Sequence, residues 1–263
     1  MTQWNRVSAR PIEDVIGELQ HARTLTITTP RPGIAVMSVN RPERGNSQTV
    51  EMFGEIAWYA HVLRKAALRA LIVTGAGGAA FCTGFDLAEV DVIARLSIPE
   101  FTELVETAEA GTSGLRALPY PVIGAISGPA AGGGLSLALA ADIRLGVASA
   151  SFSAGFVRIG LSIGELGASW HLSRLIGPAK AAELSFTGRT VRSEEAVKLG
   201  LLNTIVDGED VVAGAIELAE AIAANGAGGV RATKNALIRS AEISSFLAAL
   251  ELENRNQVVC RTS

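Results

Sequence analysis

Two glycine-rich turns, each directly after a short apolar strand, constrain this chain more than any other feature of its sequence. Residues 70–74 are followed by 75–86 (GAGGAAFCTGFD), and residues 121–127 by 128–134 (GPAAGGG). Both turns lead into predicted helices, and the first amide groups of a helix have no partner inside it. Two such amides that point at one oxygen would form an oxyanion hole. A simpler interpretation stays open, in which the glycines only allow tight turns and close helix packing.

Strands and helices alternate along the chain, which predicts a parallel α/β fold. Short β-like runs at residues 25–29 and 34–39 flank a Pro-Arg-Pro-Gly turn and predict a hairpin. Apolar residues at helical spacing, with Ser47 as a cap, predict a helix that runs to about residue 68. The remaining expected elements are helices at 99–118 and 131–141, a strand at 142–147, and, beyond Glu165, a strand at 204–206 and helices at 211–224, 230–238 and 244–253.

The composition is that of a globular protein and excludes several kinds of partner. Of 263 residues, 48% are apolar, and the formal charge of −3 gives no basic surface for nucleic acid or anionic lipid. Cys82 and Cys260 are the only cysteines, so no disulfide framework is indicated. The three histidines lack metal-ligand spacing, and no metal is predicted.

No membrane segment or secretion signal is expected from the sequence. The longest uncharged stretch, residues 117–141, contains prolines and a triple glycine, so it predicts a buried strand, a tight turn and a buried helix. The N-terminal residues as far as Asp14 lack the apolar run of a signal peptide. We therefore expect a cytoplasmic protein without a membrane partner.

Five sequence blocks, in order along the chain, carry a resemblance to a known family. They are residues 40–46 (NRPERGN), 80–87 (AFCTGFDL), 121–134 (PVIGAISGPAAGGG), 141–144 (ADIR) and 187–201, which begins TGR. Together they resemble the signature blocks of the crotonase superfamily, the enoyl-CoA hydratase/isomerase family. The resemblance implies an α/β crotonase-like (ClpP/crotonase) fold of repeated ββα units with a C-terminal helical region.

The resemblance also implies a domain organisation and an assembly. Residues 1–20 would form an N-terminal leader, residues 21–207 the crotonase-like core, and residues 208–263 a C-terminal helical trimerisation region. A homotrimer or homohexamer is expected on the same basis.

The substrate implied by the resemblance is an acyl-CoA thioester, whose coenzyme A is part of the substrate, so no separate cofactor is expected. The oxyanion amides would be those of Phe85 and Gly133. Arg44 and Lys234 could pair with CoA phosphates, and Trp170 and Phe156 could line the acyl pocket. The other positions expected to contact substrate are Cys82, Gly84, Asp86, Gly132 and Ser136.

The sequence departs from the family pattern where hydratases carry their acids. The two catalytic glutamates of family hydratases are replaced here by Ser136 and Phe156, and neither residue can activate water unaided. Glu165 resembles an acid that faces the acyl group in other branches of the family. A single carboxylate suits isomerase-like proton shuttling better than hydration. The alternative role for Glu165 is to favour the positive end of the helix that follows it.

The sequence leaves two further functions open. The chain could bind a CoA thioester without catalysis, having lost its acids. More remotely, residues 160–164 spell G-x-S-x-G, the pattern of a serine esterase with Ser162 as nucleophile, for which His171 is the one histidine that follows.

Overall fold

A computed structural model describes residues 10–208 and 210–261. Its strands are β1 (Leu25–Arg31), β2 (Ile34–Val39), β3 (Ala70–Gly75), β4 (Val122–Ile126), β5 (Pro129–Ala131), β6 (Ile143–Gly146), β7 (Ser151–Ser153), β8 (Thr190–Arg192) and β9 (Thr204–Ile205). Its α-helices are α1 (Ile12–Leu19), α2 (Val50–Leu63), α3 (Val90–Ile93), α4 (Ile98–Arg116), α5 (Gly133–Leu139), α6 (Ala168–Ile176), α7 (Pro178–Thr187), α8 (Ser193–Leu199), α9 (Val211–Ala223), α10 (Ala227–Ser240) and α11 (Phe246–Arg261).

The main sheet has the strand order β1-β2-β3-β4-β6-β9. The β1–β2 pair is the predicted antiparallel hairpin, and the other neighbours pair in parallel, with Met37 opposite Val73 and Ile72 opposite Ile123. The central strands β3 and β4 are buried along their whole length, as strands covered on both faces must be. The parallel α/β architecture expected from the alternation of elements is confirmed.

A second, small sheet was not predicted. It has the order β5-β7-β8, with β5 parallel to β7 and β7 antiparallel to β8, and each strand has three residues. Strands this short carry no readable alternation of apolar and polar residues. Their position matters because β5 lies between β4 and α5, inside the second glycine-rich turn.

The helix after the hairpin begins and ends differently from the prediction. Its cap is Thr49, whose hydroxyl accepts a hydrogen bond from the Met52 amide at 3.1 Å, and not Ser47. The helix also ends at Leu63, short of residue 68. The next long helix, α4, starts with a capping box between Ser97 and Glu100, within one residue of its predicted start.

The ends of the chain contribute to the core. Within the expected leader 1–20, α1 buries Val15 and Leu19, and the Tyr59 hydroxyl donates to the Leu19 carbonyl at 2.9 Å. Within the expected region 208–263, α9 packs on β3 and β4 through Ala215 and Ala219, while α10 and α11 contact each other. Residues 1–9, 209, 262 and 263 of these two regions lie outside the described residues.

The uncharged stretch 117–141 forms β4, β5 and α5, as its prolines and glycines predicted. Among the described residues, no single helix combines the length and apolar character needed to cross a bilayer, and α9 with α10, bent by 108°, meets that test only as a pair.

Candidate active site

The loop after β3 is shaped by Asn46, a buried residue that sequence reasoning named only as part of a block. Its Nδ2 donates to the carbonyls of Ala76 at 2.9 Å and Ala80 at 2.8 Å, and its Oδ1 accepts from the Arg41 amide at 2.9 Å. Asn46 itself has a φ of 56°, a region where asparagine is tolerated better than most residues. The side chain therefore fixes the backbone that leads to residues 80–86.

The strand β5 joins this loop to the one that follows β4. The Cys82 amide donates to the Pro129 carbonyl at 3.1 Å, and the Ala131 amide donates to the Cys82 carbonyl at 3.0 Å. Since β3 and β4 are also adjacent in the main sheet, both glycine-rich turns belong to one hydrogen-bonded framework.

Gly84 and Gly133 bring the two loops into close contact. Gly84 has a φ of 95°, and a Cβ on it would lie 2.8 Å from the Ala131 carbonyl oxygen and 3.5 Å from the Gly133 nitrogen. Gly133 is the first residue of α5, so its amide has no partner within the helix. In the described residues, no backbone acceptor outside the regular elements is found for the amides of Phe85 or Gly133. Two unused donors thus belong to adjoining segments.

These loops form one end of a cavity of about 920 Å³. Its wall is largely aromatic and aliphatic, and the rings of Phe53 and Phe85 stack with centroids 6.1 Å apart. The predicted site residues that line this cavity are Gly84, Phe85, Gly132, Gly133, Phe156 and Glu165.

Glu165 lies in a turn before α6 and not within that helix. Its carbonyl accepts hydrogen bonds from the Ala168 amide at 2.9 Å and from the Ser136 hydroxyl at 3.3 Å, and the next residue, Leu166, has a φ of 48°. Within the described part of the chain, no ion pair or hydrogen bond engages the Glu165 carboxylate. Burial raises the pKa of this carboxyl above its usual value. An unpaired acid with a raised pKa, lining a cavity, has the properties of a general acid or base.

The two positions where family hydratases carry glutamates contain no acid and are both buried. Ser136 is 0% exposed and is used to position the Glu165 backbone, while Phe156 is 3% exposed and forms part of the cavity wall.

Arg44 and Asp86 are brought together, but outside the cavity lining. The Asp86 carboxylate pairs with Arg44 at 2.8 Å and with Arg41 at 2.9 Å, and it caps a short 3₁₀ helix by accepting from the Ala88 amide at 3.0 Å. The Arg44 guanidinium, followed by the Ala88 amide, holds the pKa of Asp86 well below its usual range. Asp86 therefore serves as a helix cap and an ion-pair partner, and Arg44 remains half exposed beside it.

Cys82 supports the loop through its backbone. Its side chain is fully buried, and burial raises the pKa of the thiol to about 12, so the thiol stays protonated near neutral pH.

The structure places Trp170 and Lys234 away from the glycine loops, at a second cavity of about 720 Å³. The Lys234 ammonium is buried, 2.7 Å from an Asp142 carboxylate oxygen and 2.9 Å from the Tyr120 carbonyl. The Trp170 ring lies 4.0 Å from the Arg174 guanidinium. Neither side chain shares the cavity of Glu165 within this chain.

The serine-hydrolase pattern does not assemble into a catalytic site. Ser162 lines the first cavity and accepts a hydrogen bond from the Gly164 amide at 3.0 Å, whereas His171 lines the second. The segment also follows a 3₁₀ helix, not a strand, so it lacks the geometry of a nucleophile elbow. In residues 10–208 and 210–261, no three His, Cys, Asp or Glu side chains group as metal ligands.

His171 should make stability depend on pH. Burial, reinforced by Arg116, Arg144 and Arg174, lowers its pKa from 6.5 to about 4. The unfolded chain therefore binds a proton between pH 6.5 and 4 that the folded chain does not, so stability falls as the pH falls through this window. The pKa change corresponds to roughly 3 kcal/mol.

Denaturant unfolding at pH 7 and pH 4 checks this expectation. The loss of unfolding free energy on acidification should be smaller in His171→Phe, which cannot titrate, by about that amount. An equal loss in both proteins would contradict it.

Gln48 is a site residue that sequence reasoning missed. Its backbone pairs with the Phe85 loop, donating to the Gly84 carbonyl and accepting from the Asp86 amide, both at 2.7 Å. The side chain is 2% exposed and lines the cavity, and its Oε1 has no hydrogen-bond partner among the described residues. An unpaired buried acceptor costs about 1–3 kcal/mol. In the sequence, Gln48 shows only as one polar residue before a helix.

Comparison with known proteins shows the family to which the sequence is similar. The sequence model of the enoyl-CoA hydratase/isomerase family matches residues 29–262. A 1,2-epoxyphenylacetyl-CoA isomerase of Escherichia coli (strain K12) is 36% identical over 227 residues, which cover 86% of each protein.

Solved structures of the same fold are also similar. An enoyl-CoA hydratase from Bacillus anthracis has a TM-score of 0.85 and 31% identity, with 92% of each chain covered. A Thermobifida fusca YX structure in complex with acetoacetyl-CoA has a TM-score of 0.83 and 27% identity, with 93% of this chain and 97% of that chain covered. The crotonase-like fold expected from the resemblance is confirmed.

Proposed function

The chain belongs to the enoyl-CoA hydratase/isomerase family of enzymes, and from this we propose that it moves a double bond in an acyl-CoA thioester. The main support for this proposal is that the unused amides of Phe85 and Gly133 belong to the same cavity as the unpaired carboxylate of Glu165. The complex of the Thermobifida fusca relative with acetoacetyl-CoA supports a CoA thioester as ligand. Coenzyme A enters as part of the substrate.

In this proposal the thioester oxygen binds between the Phe85 and Gly133 amides. Glu165 removes a proton from the carbon next to the carbonyl of a 3-enoyl thioester, and negative charge moves to the carbonyl oxygen as a dienolate forms. The two amides stabilise that charge, each by roughly 3 kcal/mol in comparable sites. Glu165 then returns the proton further along the chain, so that the double bond shifts and no water is consumed.

The side chains around the cavity support an apolar acyl group. Leu87, Val90, Phe101 and Val105 line the cavity and are exposed by 44–66% in the isolated chain. A bound acyl chain would cover this apolar surface.

Hydration is disfavoured because Ser136 and Phe156 stand where family hydratases have glutamates. Adding water requires one group to activate it and another to protonate the adjacent carbon. Among the described residues that line the cavity, the carboxylates are those of Glu165 and of Glu109, and Glu109 is exposed on α4.

The test compares crotonyl-CoA with a 3-enoyl-CoA. We expect conversion of the 3-enoyl thioester to its conjugated isomer and no hydration of crotonyl-CoA at a comparable rate, as followed by the absorbance of the conjugated thioester. Hydration of crotonyl-CoA at an ordinary enzymatic rate would overturn the preference for isomerisation. Tight thioester binding without turnover of either compound would favour a non-catalytic CoA-thioester binder instead.

We also propose that copies of this chain assemble through α10 and α11 as a homotrimer or homohexamer. Phe246 and Leu247 at the start of α11 are each 75% exposed, and Leu237 on α10 is 68% exposed. Surfaces of this kind are commonly covered in an assembly.

A further inference from the structure

Gln48 is more buried than the other polar side chains that line the cavity. The other polar side chains that line it are Thr83, Glu109, Arg158, Ser162 and Ser169, all exposed, and Glu165, which is partly exposed. Gln48 is 2% exposed. Its amide therefore lies in a buried part of the cavity wall, where water does not reach its oxygen.

The amide also lies directly beside one of the proposed oxyanion residues. A Cβ added to Gly133 would be 2.1 Å from the Gln48 Oε1 and 3.8 Å from its Nε2. The Gln48 backbone is paired in parallel with Phe85, the other proposed oxyanion residue. The side chain is thus held next to the place of the thioester carbonyl and the first carbons of the acyl group.

The wall of the cavity that this amide lines is largely apolar. Phe53 and Phe85 stack against each other on the cavity wall, and Phe156 is a further buried aromatic residue of that wall. Leucine or methionine would fill the position without an unpaired polar atom. An unpaired polar group lowers the stability of the protein with an empty cavity. Such a group is explained if a ligand completes its hydrogen bonds.

We propose that Gln48 is a specificity-determining residue that binds a hydroxyl group on the carbon next to the thioester carbonyl. This inference rests on the proposed function, since it names the substrate class of the same site. The terminal amide can rotate about its last torsion and present either atom. Its nitrogen donates and its oxygen accepts, and a hydroxyl group can accept and donate in return.

Binding measurements in a Glu165→Gln background test the proposal, since bound thioesters are not consumed there. The ligands are butyryl-CoA, 2-hydroxybutyryl-CoA and 3-hydroxybutyryl-CoA, titrated by calorimetry. With Gln48 present, 2-hydroxybutyryl-CoA should bind at least about tenfold more tightly than butyryl-CoA, and 3-hydroxybutyryl-CoA serves as the control for the position of the hydroxyl group. Gln48→Met, which preserves the length of the side chain, should remove that difference, and Gln48→Leu should do the same.

Thr83→Val provides the matched control. Thr83 lines the same cavity, but its hydroxyl already donates to the Gly45 carbonyl at 3.1 Å, so its loss should leave the preference in place. Thermal unfolding checks the folding of each variant, and Gln48→Met should melt no lower than the parent, because an unpaired buried amide is removed.

Two results would overturn the inference. One is equal binding of butyryl-CoA and 2-hydroxybutyryl-CoA in the protein that has Gln48. The other is a hydroxyl preference that persists in Gln48→Met and Gln48→Leu. If the protein with Glu165 still isomerises a 3-enoyl-CoA, either result removes the inference alone. If no thioester binds at all, the proposed function is wrong and the inference with it.

Discussion

Replacing Glu165 by Gln is expected to slow the isomerisation of a 3-enoyl-CoA by about 10²–10⁴-fold, the usual contribution of a positioned acid or base. The amide keeps the size of the side chain but cannot accept the proton at the reacting carbon. Because no hydrogen bond or ion pair of the described residues uses the Glu165 carboxylate, the fold should be unaffected. Steady-state kinetics measures the rate of reaction, and the dissociation constant of butyryl-CoA measures ligand binding. Only the rate should change.

Glu109→Gln is the matched control for this variant. Glu109 is the other glutamate that lines the cavity, but it lies exposed on α4. Its replacement should leave the rate of isomerisation close to that of the parent. If Glu109→Gln loses the activity and Glu165→Gln keeps it, the assignment of the acid/base group is wrong.

Gly84→Ala should lower kcat/KM by about 10²–10³-fold, comparable to the loss of an oxyanion donor. The added methyl group would lie 2.8 Å from the Ala131 carbonyl oxygen and 3.5 Å from the Gly133 nitrogen. The 2.8 Å contact with a backbone oxygen is too short for a real methyl group and would force the two loops apart. The Phe85 and Gly133 amides could then no longer meet at one oxygen. Kinetics with the 3-enoyl thioester measures the loss.

Gly78→Ala separates this steric effect from backbone strain. Gly78 lies in the same glycine-rich turn with a φ of 71°, and a Cβ there would meet nothing within 4 Å. Both variants place alanine at a positive φ, which costs about 1–2 kcal/mol of stability. We expect both proteins to melt at a lower temperature, but only Gly84→Ala to lose its activity. Equal losses of activity would show that strain alone explains the effect.

Much of the main sheet could be predicted from the sequence because its strands are short runs of apolar and β-branched residues next to glycine or proline. The runs at 25–29, 34–39 and 70–74 correspond to β1, β2 and β3. The small sheet could not be predicted, since β5 and β7 are too short to show a period. Helix α1 was missed because its few buried residues stand among charged ones.

Site residues were predicted best where they belong to the glycine-rich turns. Gly84, Phe85, Gly132 and Gly133 line one cavity because hydrogen bonds between the two loops fix the backbone around them. Lys234 lies on a distant helix, and its buried pairing with Asp142 depends on tertiary packing that no local pattern indicates.

The groups proposed to bind the thioester belong to the main chain, on loops that leave the adjacent strands β3 and β4. Exchanging the side chains at positions 136 and 156 therefore does not remove a donor. Recognition of the thioester and choice of reaction can change independently in such a protein. Over evolutionary time, one scaffold can keep its ligand class while the acids around it, and hence the product, are replaced.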